Sequence, residues 1–120
     1  MSRAAIIVAS GSSRRMGFDK LAALIDGNPV LWHSVRAFSS NSSITQVVVV
    51  TPRERFEWLS DLGEKLHRVD GGKERPDSVN AGLAALNPNI THVAIHDGAR
   101  PLVSPQSITA TFEAAQKTGA

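Results

Sequence analysis

The segment Ser10-Gly11-Ser12-Ser13-Arg14-Arg15-Met16-Gly17-Phe18-Asp19-Lys20 joins small residues to three cations within seven positions, Arg14, Arg15 and Lys20. Small residues let main-chain N–H groups come close to an anion, and the cations add the charge that a triphosphate needs. No Gly-Lys-Ser/Thr closes the segment, so it is not a Walker loop. The G-x-G-x-x-G pattern of dinucleotide sites is absent too. Taken alone, the segment also fits a solvated loop with surface arginines.

Two further segments carry similar chemistry. Asp70-Gly71-Gly72-Lys73-Glu74-Arg75-Pro76-Asp77-Ser78 places paired glycines, suited to flat contact with a base, ahead of Asp77 and Ser78, which could cap a helix. Ordinary turn and capping chemistry explains the same residues. Asp97-Gly98-Ala99-Arg100-Pro101 offers a carboxylate that could hold Mg²⁺ or a ribose hydroxyl, beside an arginine that could bind phosphate or pair with Asp97. A structural Asp–Arg pair is the plain alternative. His92 and His96 share one face of an expected strand, but four strand residues span about 13 Å, too far to chelate one metal ion. His33, His67, Trp32 and Trp58 read as packing or surface residues.

The elements that must position these segments are marked by apolar runs. Residues 4–9, 46–51, 66–69 and 92–96 are expected strands, the first ended by Ser10-Gly11 and the second by Pro52. Continuous apolar runs suit strands buried on both faces of a parallel sheet. Helices are expected where apolar residues recur at i, i+4 and i+7 behind a proline: Leu31, Val35 and Phe38 after Pro29; Val79, Leu83 and Leu86 after Pro76; Ile108, Phe112 and Ala115 after Pro105. Residues 53–62 are a less regular helix candidate, and Asp26-Gly27-Asn28 marks a tight turn. Strand and helix alternate four times, which predicts an α/β fold: a doubly wound, mostly parallel, Rossmann-like sheet. The three chemical segments follow the first, third and fourth strands and so emerge at one edge, where open α/β sheets bind ligands.

Length and composition narrow the reading. The 120 residues suit one domain, 42% hydrophobic and 20% charged, with a net charge of +2. Aromatic residues are 5% and no basic run is interleaved with them, which argues against a nucleic-acid partner. There are no cysteines, hence no disulfides or thiolate metal sites. The N-terminal apolar run is too short to span a membrane or to form a signal-peptide core, and it reads as the first strand of a cytoplasmic protein. A further strand is expected after Lys117-Thr118-Gly119-Ala120, so residues 1–120 read as the nucleotide-binding part of one domain, truncated at its C-terminus.

Together the segments resemble the 2-C-methyl-D-erythritol 4-phosphate cytidylyltransferase family of isoprenoid precursor synthesis. The matching residues are Ala9-Ser10-Gly11, Arg14-Arg15-Met16 and Lys20; Asp70-Gly71-Gly72, Arg75, Asp77-Ser78-Val79 and Gly82-Leu83; and His96-Asp97 with Ala99-Arg100-Pro101. The first segment alone indicates only the wider nucleotidyltransferase superfamily; the third combined with the paired glycines is more specific. The resemblance implies a sheet of the nucleotidyltransferase type and a reaction in which CMP passes from CTP to 2-C-methyl-D-erythritol 4-phosphate, releasing pyrophosphate. It implies Arg15 and Lys20 as the catalytic cations at the α-phosphate. Ala9, Ser10, Gly11, Ser12 and Ser13 would lie along the nucleotide. Gly72, Lys73 and Ser78 would border the cytosine, and Asp97 and Gly98 would meet the ribose. Asp97 would also stand near Mg²⁺ or another divalent cation, with Arg75 and Arg100 in supporting roles.

Some residues depart from the family pattern. Ser10 replaces the usual alanine, Ser13 a common second glycine and Gly98 a common alanine. Lys73 stands where some members are acidic. Family members are about twice this length, so the resemblance implies a CTP half-site here, much of the acceptor site elsewhere and a homodimer for the full-length protein. A ribitol-5-phosphate or related polyol-phosphate cytidylyltransferase, or a non-catalytic CTP-binding fragment, are the other expectations.

Overall fold

The apolar runs form the strands they predict. The computed structural model describes residues 2–9, 21–72 and 75–98, with Arg75 by its main chain only. Strand β1 is Arg3–Val8. A short hairpin follows, β2 (Leu24–Ile25) and β3 (Asn28–Pro29), joined through Asp26 and Gly27 at φ 51° and 84°. Two successive positive φ values are what a two-residue turn matched to strand twist requires, and Asp-Gly supplies them. Helix α1 is Val30–Ser39, entered through Pro29, whose fixed φ of −59° is compatible with the start of a helix. Strand β4 is Ile44–Val50, helix α2 is Arg53–Phe56, strand β5 is Leu66–Val69, helix α3 is Arg75–Ala84 and strand β6 is His92–Asp97.

The four long strands pair in the order β5-β4-β1-β6, every pair parallel. From β1 the chain winds outward to β4 and β5, then crosses back to the other side of β1 to lay down β6. The winding therefore reverses between β1 and β6. Helix α1 and the turn Glu57–Leu59 that follows α2 cover one face, where Ala5, Ile7, Val47 and Val49 meet Leu31, Val35, Phe38 and Leu59. Helix α3 and the residues just after it cover the other, where Ile6, Val48 and Val50 meet Ala85 and Leu86. A fully buried leucine or isoleucine such as Leu31 or Ile6 contributes about 1.5–3 kcal/mol by its removal from water.

Three expectations change in detail. The second long strand begins two residues before the expected start at Gln46, at Ile44, which is fully buried, and Thr51 falls just outside it. The helix expected over 53–62 is a single turn followed by a 3-10 turn, Glu57–Leu59, and the chain then turns at Gly63 with φ 103°. Helix α3 presents a different face from the one its large residues mark. Leu83 is 43% exposed, whereas Ser78 and Gly82 are buried. A Cβ on Gly82 would lie 2.7 Å from Ile6 Cγ2 and 3.2 Å from Val50 Cγ2, so small residues bring this helix close to the sheet. The helix expected around 105–115 lies outside the described residues. Among the described residues, no helix is long and apolar enough to cross a membrane.

Candidate functional site

The carboxyl rim of the sheet is nearly level. Val8 pairs with both Val50 and Asp97, and Val50 pairs with Val69, so the four strand ends lie in one row. At about 4.8 Å between strands, the row is roughly 14 Å across. Ala9 and Gly98 step off this row side by side at the point of reversal. Ala9 donates its N–H to Val50 O at 2.8 Å, and Gly98 donates to Val8 O at 2.9 Å. A Cβ on Gly98 would sit 2.9 Å from Leu31 Cδ1 and 3.1 Å from Ala9 Cβ, so the small residue lets the two exits run together.

Buried hydroxyls hold the carbonyls of both exits. Thr51, fully buried, donates its Oγ1 hydrogen to Ala9 O at 3.1 Å, and Arg55 Nη1 donates to the same oxygen at 2.7 Å. Ser34, also fully buried, donates Oγ to Gly98 O at 2.7 Å. Both main-chain groups of Ala9 and of Gly98 are thus engaged inside the protein, which makes these residues anchors of their segments. The network continues outward: Arg68 Nη1 donates to Thr51 O at 3.2 Å and pairs with Asp70 Oδ1 at 2.6 Å. Through Thr51 and Arg68 the first segment is tied to the one that begins at Asp70. Sequence reasoning missed Ser34, Thr51, Arg55 and Arg68. Ser34 left a signal, a polar residue on the otherwise apolar face of α1; the others left none.

The glycine pair leads into α3. A side chain on Gly72 would overlap that of Asp77 in the first helical turn, so glycine here is a packing requirement. Ser78, one residue on, is 1% exposed. The start of α3 therefore lies at the carboxyl rim. Asp97 ends β6 at the same rim and is exposed. Its register partner is Val8, which packs on the α3 side of the sheet. One exposed carboxylate at the rim fits Mg²⁺, which takes one or two carboxylates and completes its shell with substrate phosphates and water.

A family model described as IspD: 2-C-methyl-D-erythritol 4-phosphate cytidylyltransferase matches residues 3–120. The chain belongs to this family. A 2-C-methyl-D-erythritol 4-phosphate cytidylyltransferase of Endomicrobium trichonymphae is 43% identical over 122 residues, covering 98% of this chain and 55% of that protein. One of Pelotomaculum thermopropionicum is 41% identical over 126 residues, covering 98% and 53%. Among solved structures, 4-diphosphocytidyl-2C-methyl-D-erythritol synthase of Anaerococcus prevotii superposes with a TM-score of 0.81 at 28% identity, covering 97% of this chain and 52% of that one. The chain spans about half the length of the curated relatives it matches.

Within the three motif segments, the structure brings together Ala9, Asp97 and Gly98; Gly72 follows β5, two strands from β1, and Ser78 lies in α3, which packs over β1 and β4. Ser10, Gly11, Ser12, Ser13, Arg15, Lys20, Lys73 and Arg100 lie outside the described residues, as does the side chain of Arg75. The histidines of β6 do not meet. His92 Nδ1 lies 2.9 Å from Thr91 Oγ1, while the His96 ring packs 5.0 Å from that of Phe38. Among the described residues, no group of three or more histidine, aspartate or glutamate side chains could hold a metal ion.

Proposed function

We propose that this chain is the nucleotide-holding part of a cytoplasmic enzyme that transfers CMP from CTP to 2-C-methyl-D-erythritol 4-phosphate. Pyrophosphate is released, and the full-length protein works as a homodimer. The observation that carries the reading is the reversal point itself. In a chain of this family, Ala9 and Gly98 leave adjacent strands together, with Asp97 beside them, at the place where doubly wound sheets take nucleotides.

The acceptor's phosphate oxygen forms a bond to the α-phosphorus of CTP. The bond from that phosphorus to the bridging oxygen breaks, and pyrophosphate carries away the electron pair. Both reactants are anions, so the barrier is chiefly repulsion and misalignment. Arg15 and Lys20 offset the charge that builds at the α-phosphate. A phosphate monoester is already nucleophilic near neutral pH, so no side chain need remove a proton. Ser10, Gly11, Ser12 and Ser13 follow the phosphates with their main chain. Gly72, Lys73 and Ser78 border the base, and Asp97 and Gly98 meet the ribose. Arg75 and Arg100 support the two later segments. Asp97 is the residue that would hold Mg²⁺, which supplies charge neutralisation at the phosphates when bound.

The test is pyrophosphate release by the full-length protein with CTP and Mg²⁺, offered 2-C-methyl-D-erythritol 4-phosphate or ribitol 5-phosphate. Release with the first and not the second is expected. Release with ribitol 5-phosphate alone would replace the acceptor, and release with neither would remove the activity.

A further inference from the structure

We propose that Arg55 and Thr51 are positioning residues for nucleotide binding: together they fix the Ala9 carbonyl and so aim the first amide of the Ser10–Lys20 segment. The inference rests on the reading of that segment as the nucleotide loop. Arg55 belongs to α2 and Thr51 to the exit of β4, so neither lies in a family motif segment. Their partner lies 46 and 42 residues away in sequence, at the one residue that joins β1 to the loop.

The geometry is unusually complete. A carbonyl oxygen has two lone pairs, and Ala9 O accepts two donors, the Thr51 hydroxyl at 3.1 Å and the Arg55 guanidinium at 2.7 Å. The second bond is charge-assisted and therefore the stronger. The N–H of Ala9 is held by Val50 O at 2.8 Å. The peptide unit is planar and trans, so fixing a carbonyl also fixes the direction of the N–H that follows it. Held at both its groups, Ala9 cannot swing, and the loop begins from a set direction. A loop that binds phosphate by its main chain depends on that direction, because an ordered donor array avoids the entropy of ordering at binding. Thr51 is fully buried and offers no surface to a ligand, so it acts on binding through its neighbours, and its hydroxyl bonds to Ala9 O.

The experiment compares the full-length protein with Arg55→Ala, Arg55→Lys, Thr51→Val and Thr51→Ser variants. CTP affinity is read by calorimetry, loop order by hydrogen exchange of the 9–20 peptide without nucleotide, and folding by thermal melting. Arg55→Ala and Thr51→Val are expected to weaken CTP binding about tenfold and to speed exchange of the loop while still melting cooperatively. Thr51→Ser, which keeps the hydroxyl, restores both, and Arg55→Lys, which keeps a donor, restores most of the affinity. Unchanged loop exchange in Arg55→Ala and Thr51→Val overturns the inference, as does wild-type CTP affinity in both. If Arg55→Ala does not fold, the Thr51→Val and Thr51→Ser pair decides. A wild-type protein that binds no CTP removes the proposed function instead, and the exchange measurement still decides the role of Arg55.

Discussion

At the amino rim of the sheet, the buried Gln46 of β4 reaches across to the end of α3. Its Nε2 donates to Ala85 O at 3.4 Å, and its Oε1 accepts from Asn87 N at 3.0 Å. At the carboxyl rim, the buried Thr51 and Ser34 donate to Ala9 O and Gly98 O. The device is the same, a buried polar side chain satisfying main-chain groups that have left regular structure. The consequence differs. Gln46 closes a helix end that would otherwise leave polar groups unpaired, so it serves the fold. Thr51 and Ser34 hold the first residues of segments that carry charge and small residues, so they serve whatever those segments bind. A parallel sheet places every helix end at one rim and every strand exit at the other, and the division of labour follows from that topology.

The largest effect should come from the segment that follows Ala9, without any change in the fold. In the full-length protein, Lys20→Ala or Arg15→Ala is expected to lower turnover about 10²-fold or more, the scale of losing one charge-stabilising donor. Steady-state pyrophosphate release measures it, with the melting temperature as control. Turnover near that of the parent in either variant removes the catalytic role assigned to that residue.

The amino rim should answer in the opposite way. Gln46→Ala leaves a buried acceptor and a donor unpaired, and a loss of about 1–3 kcal/mol in stability is expected. Urea unfolding reads the loss, and CTP titration of the folded variant should show unchanged affinity. Weakened CTP binding in the folded Gln46→Ala protein would break the separation between the rims. Ser34→Ala sharpens the same contrast. It removes the donor to Gly98 O, so about 1 kcal/mol of stability should be lost together with CTP affinity, because the residue after Asp97 is released.

How much of this the sequence disclosed depends on how local each feature is. The strands of the parallel sheet were legible because burial on both faces writes itself as an unbroken apolar run, as in Val47–Val50. Helix entries were legible at Pro29 and Pro76. The inward face of α3 was not, because close approach to Ile6 selected Gly82, and large residues such as Leu83 were left outside. Helix α2 was read too long, since residues 53–62 have no regular apolar spacing to mark where a helical turn gives way to a 3-10 turn. For the site, placement at one rim followed from strand order. Its supports did not, because Thr51, Arg55 and Ser34 reach main-chain oxygens 42, 46 and 64 residues away, and a hydrogen bond to a carbonyl selects no residue type there.

The smallest effect belongs to Arg68, and it separates a bond from an ion pair. Asp70 is 83% exposed and Arg68 21%, so their contact at 2.6 Å stands largely in water. Such pairs contribute under about 1 kcal/mol and weaken with salt. Arg68 also donates to Thr51 O, which Asp70 does not share. Asp70→Ala should therefore change stability by less than about 0.5 kcal/mol, with the change vanishing in high salt. Arg68→Ala should lose about 1 kcal/mol, most of which persists in salt because a bond to a main-chain carbonyl is lost with it. Urea unfolding of both single variants and the double variant at low and high salt yields the two contributions. If Arg68→Ala and Asp70→Ala cost the same and both effects vanish in salt, Arg68 is only a surface charge, and the tie between the first and second segments through Thr51 carries no energy.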